Sequence, residues 1–192
     1  MIYFNNLSAF TEVHYGNTNI AEVYFGNNKV WPISTPPPQP TSAITYTASD
    51  KLNVNMHRFN PTATDEIFDN GFGIIEFDSD VLLIGGYAFE NYTGLYSVDI
   101  PNSVTKIGWC GFSGCTSLTS VTIPSGVTSI NYKAFYGCRG LTSITVEATI
   151  PPSLDDYVFG NTNNCPIYVP SGSVNAYKSA WPNYSSRIRA IP

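Results

Sequence analysis

Apolar residues recur with a period of 23 positions between residues 81 and 144. Five columns keep this spacing: Val81, Val104 and Val127; Ile84, Ile107 and Ile130; Phe89, Phe112 and Phe135; Leu95, Leu118 and Leu141; Val98, Val121 and Ile144. A spacing held in five columns predicts repeated units, each of which buries its apolar side against its neighbours.

The order of residues inside one unit predicts β-structure. Val121 and Ile123 alternate with polar residues, which is typical of a strand with one buried face, and Pro124 ends that strand. A second short extended segment follows, and then Ala134–Cys138 forms a tight helical turn that places Phe135 inside. We predict a mainly β chain, a short β-solenoid of about four such 23-residue coils with short helical turns, stacked at about 4.8 Å.

The unit from Leu118 to Ile130, followed by Ala134–Cys138, resembles the BspA-like class of leucine-rich repeats. The resemblance covers roughly residues 72 to 165. Ser103 and Gly126 stand where the commonest leucine-rich pattern has Asn or Cys, so ligand-binding horseshoes of that type are weak analogies. The resemblance implies a leucine-rich-repeat fold and binding of host matrix proteins.

Composition divides the rest of the chain into segments. An Asn70-Gly71 turn suits a hairpin in an N-terminal cap, and Ser173 can cap a short helix from Val174 to Ala180 in a C-terminal cap. The predicted boundaries are 1–33 for a docking or oligomerisation segment, 34–42 for a proline-rich linker, 43–80 for the N-terminal cap, 81–165 for the leucine-rich repeats and 166–192 for the C-terminal cap.

The first 33 residues carry a period of ten with two Gly-Asn pairs, which predicts a small β-meander. Three short strands are marginal alone, so we expect this segment to anchor the chain or oligomerise it. It also resembles leader segments on structural proteins of tailed phages. The predicted anchoring residues are Val13, Tyr15, Val23, Phe25, Val30 and Trp31.

Charge and composition argue against two classes of partner. Hydrophobic residues make up 43% and charged residues 12% of the chain, the net charge is −5, and the isoelectric point is about 4.8. An acidic chain of this kind lacks the basic footprint that nucleic acids or anionic membranes require, and no segment predicts a membrane span. The start lacks the basic and apolar regions of a signal peptide, so we expect no export by the usual secretory route.

Candidate chemistry is sparse. His14 and His57 have no evident catalytic partner, and neither a phosphate-binding loop nor a nucleophile elbow occurs. Cys115 and Cys138 share one column, where free buried thiols are favoured over a disulfide. The pair Asp155-Asp156 lacks the spacing of a calcium loop, so solvated charge is favoured. We predict no catalytic residues, no metal, no cofactor and no enzymatic activity.

Two surfaces are candidates for binding. Positions left free by the repeat pattern carry aromatic residues that would suit a protein or sugar partner, namely Tyr87, Trp109, Tyr132 and Tyr136. Covering the shoulder of the repeats is an equally good interpretation of these rings. The outer strand face carries a row of hydroxyl groups, namely Tyr96, Thr119, Thr122 and Thr142.

These expectations favour a phage virion structural, decoration or fibre-type protein, assembled in the bacterial cytoplasm. Residues 1–33 would attach to other virion proteins or to copies of the chain as a homo-oligomer, and the repeats would bind a host surface protein or glycan. The alternative is a bacterial cell-surface adhesin with BspA-like repeats. An intracellular scaffold is a third hypothesis.

Overall fold

A computed structural model describes residues 43–192 and the backbone of two short segments, Glu22–Phe25 and Asn28–Pro32. The chain divides into two compact units, Met1–Pro40 and Thr41–Pro192. In the first unit, strand β1 (Glu22–Phe25) pairs antiparallel with β2 (Asn28–Pro32), and Glu22 lies opposite Pro32. The rest of the predicted meander and the side chains of the six predicted anchoring residues lie outside the described part.

The strands of the second unit are short. In chain order they are β3 (Ala43–Ala48), β4 (Phe59–Asn60), β5 (Ala63–Asp69), β6 (Phe72–Phe77), β7 (Leu83–Ile84), β8 (Leu95–Asp99), β9 (Lys106–Ile107), β10 (Ser120–Ile123), β11 (Ser129–Ile130), β12 (Ser143–Val146), β13 (Ser153–Leu154), β14 (Ile167–Val169) and β15 (Ile188–Ala190). The described helices are α1 (Val174–Ala180) and the 3₁₀ helices Met56–Arg58, Ser171–Ser173 and Pro182–Arg187. The expectation of a mainly β chain with few helices is confirmed.

An antiparallel sheet with the order β5-β6-β3-β8 begins the second unit. Strand β3 alternates between buried and half-buried positions, so Ile44, Tyr46 and Ala48 enter the core. The β5–β6 hairpin turns at Asn70 and Gly71, whose φ angles are 46° and 86°. Positive φ at both positions suits the Asn-Gly pair that predicted this turn.

Two further sheets contain parallel strands whose register carries the sequence period, and β4 pairs antiparallel with β7 at the edge of one of them. One sheet has the order β13-β11-β9-β7-β4 and the other β10-β12-β14-β15. Ile107 pairs with Ile130, and Val121 pairs with Ile144, so neighbouring strands differ by one 23-residue unit. The step from Ile130 to Leu154 is 24 positions, because one additional residue precedes β13, whereas Ile144 and Ile167 are again 23 positions apart.

The phenylalanine column forms a continuous stack in the core. Ring centroids are 4.8 Å apart between Phe89 and Phe112, 5.1 Å between Phe112 and Phe135, and 5.7 Å between Phe135 and Phe159. The first two pairs are nearly parallel, with interplanar angles of 6° and 2°. Each ring therefore covers the ring of the next unit, which no single unit could achieve alone.

The cysteine column satisfies backbone groups beside this stack. The thiol of Cys115 donates to the carbonyl of Phe89 at 2.9 Å, and that of Cys138 donates to the carbonyl of Phe112 at 3.0 Å. All four cysteines are free, and three of them are buried. Contact with the Cys138 thiol, together with burial, raises the pKa of the Cys115 thiol, so Cys115 stays protonated at neutral pH.

The C-terminal end of the repeats is covered by helix α1, which begins at the predicted Val174. Ser173 does not cap it through its side chain, because the Ser173 hydroxyl donates to the carbonyl of Thr149 at 2.7 Å. Buried Tyr177 and Trp181 donate to the carbonyls of Ala148 and Pro152, at 2.7 and 2.9 Å. The last turn of the repeats thus finds its hydrogen-bond partners in the helical segment.

None of the described helices has the length and apolar character needed to cross a membrane.

Candidate binding surface

One corner of each unit turns through the left-handed backbone region. Tyr87, Cys110, Lys133 and Tyr157 have φ angles of 63°, 52°, 56° and 58°. This conformation is unfavourable for residues other than glycine. Hydrogen bonds between units stabilise it here, since the amides of Tyr87 and Cys110 donate to the carbonyls of Trp109 and Tyr132 at 2.8 and 3.0 Å.

One large aromatic side chain is exposed at or next to each corner: Tyr87 and Tyr157 occupy the left-handed position, and Trp109 and Tyr132 stand immediately before it. Tyr87 is 45% exposed, Trp109 56%, Tyr132 39% and Tyr157 61%. We call these four residues the aromatic strip. At its end the rings of Tyr132 and Tyr157 meet edge to face, with centroids 6.1 Å apart. Three of the four predicted aromatic residues therefore lie exposed at successive corners, and Tyr157 is a fourth.

The sequence prediction missed Tyr157 because it used a fixed period of 23. That period leads from Lys133 to Asp156, whereas the additional residue before β13 moves the left-handed corner to Tyr157. The signal was present in the phenylalanine column, since Phe135 and Phe159 are 24 positions apart. Tyr136, the fourth predicted aromatic residue, is half-buried and lies beside the strip.

Cationic side chains lie over several of these rings. The Lys133 Nζ atom is 5.1 Å from the ring centroid of Tyr132 and 4.8 Å from that of Tyr136. The guanidinium of Arg58 is 5.6 Å from the ring centroid of Tyr87. The neighbouring Tyr132 phenol raises the pKa of the Lys133 ammonium, so this group is charged at neutral pH. Trp109 has the largest ring of the four strip residues.

A groove of about 470 Å³ runs beside Trp109 and Tyr132, and Leu154, Asp155 and Asp156 complete its walls. The Asp155 carboxylate accepts a hydrogen bond from the Tyr132 amide at 3.1 Å, which fixes one acidic group next to the ring. The groove combines flat apolar walls with hydrogen-bond acceptors. Its volume falls within the usual range for ligand sites.

In the predicted hydroxyl row, two of the four donors are already in use. Thr119 donates through its side chain to the carbonyl of Tyr96 at 3.3 Å, and Thr142 to that of Thr119 at 3.0 Å. Thr122 is exposed on β10, and Tyr96 is 46% exposed. Since two of these hydroxyl groups already hold neighbouring units together, the aromatic strip is the stronger candidate.

Groups with catalytic potential are scattered in the part of the chain that the structure describes. No set of three His, Cys, Asp or Glu side chains lies close enough there to hold a metal ion. His57 is exposed in the 3₁₀ helix Met56–Arg58, and His14 lies outside the described residues. The buried carboxylate of Glu66 accepts hydrogen bonds from the Tyr46 hydroxyl at 2.6 Å and the Val54 amide at 3.2 Å. Glu66 thus has a structural role.

Comparison with known proteins agrees with this architecture. The family model of the BspA type leucine-rich repeat region matches residues 64–188. The chain therefore belongs to the BspA type leucine-rich-repeat family, as its repeat pattern predicted.

Two solved structures are similar to parts of the chain. A leucine-rich repeat protein from Bacteroides ovatus is 25% identical over 59% of this chain, with a TM-score of 0.45, and the chain spans 29% of its length. A leucine-rich repeat protein from Bacteroides capillosus is 31% identical over 55% of this chain and 72% of its own, with a TM-score of 0.38. No curated protein matches the chain.

Proposed function

We propose that the protein is a non-enzymatic binding module in which the aromatic strip contacts a host surface protein or glycan. In this proposal the parallel strands of residues 81–165 form a leucine-rich-repeat solenoid of about four coils between two caps. One observation carries the proposal, namely that four successive corners each expose one large aromatic side chain.

The cost of exposing these rings supports a binding role. A soluble protein gains little from leaving large apolar side chains in water, and contiguous exposed aromatic groups commonly mark interaction sites. Trp and Tyr are also the residues that contribute most strongly to binding where they become buried against a partner. The other exposed groups near Trp109, the carboxylates of Asp155 and Asp156, offer hydrogen-bond acceptors at the edge of the same groove.

The location favoured by family membership is the bacterial cell surface, where the module would serve as an adhesin. The hypothesis of a phage virion protein depends on residues 1–33, which would attach the chain to other virion proteins or to copies of itself. Both hypotheses assign the same role to the aromatic strip, and they differ in where the N-terminal segment is anchored.

The test is binding of the full chain to immobilised host matrix glycoproteins and glycans. Removing the largest ring of the strip with Trp109→Ala should weaken binding about tenfold or more, since truncation of an aromatic hot spot costs about 2 kcal/mol or more and about 1.4 kcal/mol is tenfold. Tyr132→Ala should have a similar effect. Both side chains are exposed, so neither substitution should unfold the protein.

Tyr96→Ala is the matched control, because Tyr96 is as exposed as the strip residues but lies on β8 in the hydroxyl row. Affinity should be unchanged in this variant. Failure of the unmodified chain to bind any member of the panel would contradict the proposal. A loss of affinity in Tyr96→Ala, with none in Trp109→Ala, would move the site to the hydroxyl row instead.

A further inference from the structure

We propose that a second groove, at the C-terminal end of the repeats, binds the carboxylate of an acidic sugar. This inference deepens the proposed function, because it gives a chemical class to a ligand that also reaches the aromatic strip. The groove has a volume of about 570 Å³, and its polar walls come from two parts of the chain: Asn161 and Asn164 of the last unit, and Asn183, Tyr184, Arg187 and Arg189 of the C-terminal cap. None of the residues that line it is acidic.

Arg187 supplies a fixed positive charge. Its Nε atom donates to the carbonyl of Cys165 at 2.8 Å, and its Nη2 atom donates to the hydroxyl of Thr162 at 3.0 Å. A longer bond of 3.4 Å joins Nη1 to the carbonyl of Phe159. These partners are neutral, so they orient the guanidinium without neutralising it. Nη2 also contacts the Cys165 Sγ atom at 3.5 Å. A guanidinium has five N–H donors, so four are used by these contacts and one N–H of Nη1 remains for a ligand.

Arg189 adds a second guanidinium on the same side. Both arginines line the groove, Arg187 from the last residue of the 3₁₀ helix Pro182–Arg187 and Arg189 from β15. One nitrogen of Arg189, Nη1, donates to the carbonyls of Ser186 and Ile188 at 2.8 and 2.9 Å. Two guanidinium groups that keep free donors and meet no carboxylate in the groove form a site for a carboxylate.

The amide groups extend this chemistry from an anion to a sugar. A carboxylate is satisfied by N–H donors alone, whereas Asn161, Asn164 and Asn183 also offer carbonyl acceptors. A hydroxyl group both donates and accepts, so it can pair with the N–H donors and with the carbonyl acceptors of these asparagine side chains. The Tyr184 ring, over which Arg187 lies at 5.6 Å, adds a flat apolar wall. A ligand that carries several hydroxyl groups and one carboxylate matches this set better than an acidic peptide side chain does.

One residue that lines this groove also contacts Tyr136, which lies beside the aromatic strip. The Asn161 side-chain amide donates to the Tyr136 hydroxyl at 2.7 Å. The Tyr136 ring covers Gly160 so closely that a Cβ atom there would lie 2.9 Å from the ring. Lys133 lies over both Tyr132 and Tyr136 and adds a positive charge between the arginine groove and the strip. One acidic oligosaccharide can therefore place its carboxylate between the arginines and a neutral ring near Tyr136.

The experiment is a titration of the ¹⁵N-labelled full chain with glucuronate, followed by NMR. Glucose is the neutral match, N-acetylaspartate represents a peptide carboxylate, and inorganic sulfate represents a free anion. Glucuronate should shift the side-chain amide signals of Asn161 and Asn183 and bind about tenfold tighter than the other three probes.

Arg189→Gln should abolish the preference for glucuronate over glucose, because it removes one charge while leaving the bonds of Arg187 in place. Lys178→Gln removes an equally exposed charge outside the groove and should leave the titration unchanged. Asn183→Ala should weaken the binding of glucuronate and leave the weaker binding of sulfate unchanged.

Trp109→Ala separates this proposal from the proposed function, since it should leave glucuronate binding intact even where it abolishes binding to the host partner. Equal affinities for glucose and glucuronate, or an unchanged preference in Arg189→Gln, would overturn the proposal. So would equally tight binding of N-acetylaspartate or sulfate, which would assign the groove to acidic peptides or to free anions.

Discussion

Two tyrosine hydroxyl groups are held where water does not reach. Tyr177 donates to the carbonyl of Ala148, and Tyr46 donates to the carboxylate of Glu66, with the two side chains 0% and 1% exposed. Burial raises the pKa of both phenols above the usual value of about 10. The folded protein therefore keeps these two protons at pH values where an unfolded chain loses them.

This difference predicts that stability falls in alkaline solution. Above pH 10 the unfolded state binds fewer protons than the native state, so the free energy of unfolding decreases by about 1.4 kcal/mol per pH unit for each such tyrosine. Below pH 10 both states are protonated, and the contribution is fully present. Tyr177→Phe should lower the free energy of unfolding by about 1 kcal/mol at neutral pH. Above pH 10 it should also remove the contribution of one tyrosine to the fall of this free energy with pH. Urea unfolding between pH 8 and 11 measures both effects.

Tyr157→Phe is the control for this experiment, because it removes a hydroxyl group from an exposed ring. It should change neither the stability at neutral pH nor the alkaline slope. An unchanged slope in Tyr177→Phe would show that the buried phenol is not the group that loses its proton on unfolding.

At the scale of elements, neighbouring units approach so closely that one position tolerates no side chain. A Cβ atom on Gly108 would lie 2.6 Å from the Gly86 nitrogen and 2.7 Å from the Gly85 carbonyl carbon of the preceding unit. These are backbone atoms and cannot rotate away. Gly108 therefore permits the bond from its own amide to the Ile84 carbonyl at 2.7 Å, which continues the β7–β9 pairing.

Gly108→Ala should destabilise the protein by about 1–3 kcal/mol, because the units must separate to admit the methyl group. Gly172→Ala provides a matched control, since no atom lies within 4 Å of a Cβ at that position. The control should change stability by less than about 0.5 kcal/mol. Urea unfolding of the two variants measures the difference, and equal midpoints would mean that the units are not packed this tightly.

The sequence was informative about elements wherever residues repeat. The sequence period predicted that Ile107 lies beside Ile130 and Val121 beside Ile144. Equivalent residues of successive units become neighbours when the units stack, so the period sets the register of strand pairing. It was less informative where a unit changes length, as at Tyr157. It gave no indication of the arginine groove, since residues from Asn161 to Arg189 that are polar, non-periodic and distant in sequence carry no shared pattern. The internal use of the Thr119 and Thr142 hydroxyl groups was likewise visible only in the structure.

At the scale of the whole molecule, residues 43–192 share one continuous core that extends from Ile44 in β3 to Ile188 in β15. The phenylalanine stack lies along it, and Phe159 continues the stack into Trp181, with ring centroids 6.0 Å apart. Each unit contacts its neighbours on both sides. Cooperativity in such an arrangement comes from the interfaces between units.

This continuity predicts a single unfolding transition for the second unit of the chain. In a Trp31→Phe, Trp109→Phe double variant, the fluorescence of the remaining Trp181 reports on the C-terminal end. Its midpoint in urea should coincide with that of the far-ultraviolet circular dichroism signal, which reports on all strands. A Trp181 transition at a clearly lower urea concentration would show that the C-terminal cap separates before the repeats unfold.

The constant register also makes the repeat a unit of length. Inserting or deleting one complete 23-residue copy would preserve every column and every bond between neighbouring units, while moving the C-terminal groove relative to Tyr87 by about 4.8 Å. The distance between the C-terminal groove and Tyr87 is thus set in discrete steps of one unit. If the proposed sugar site holds, changing the number of copies would change the separation between the neutral and acidic parts of the ligand that the chain fits.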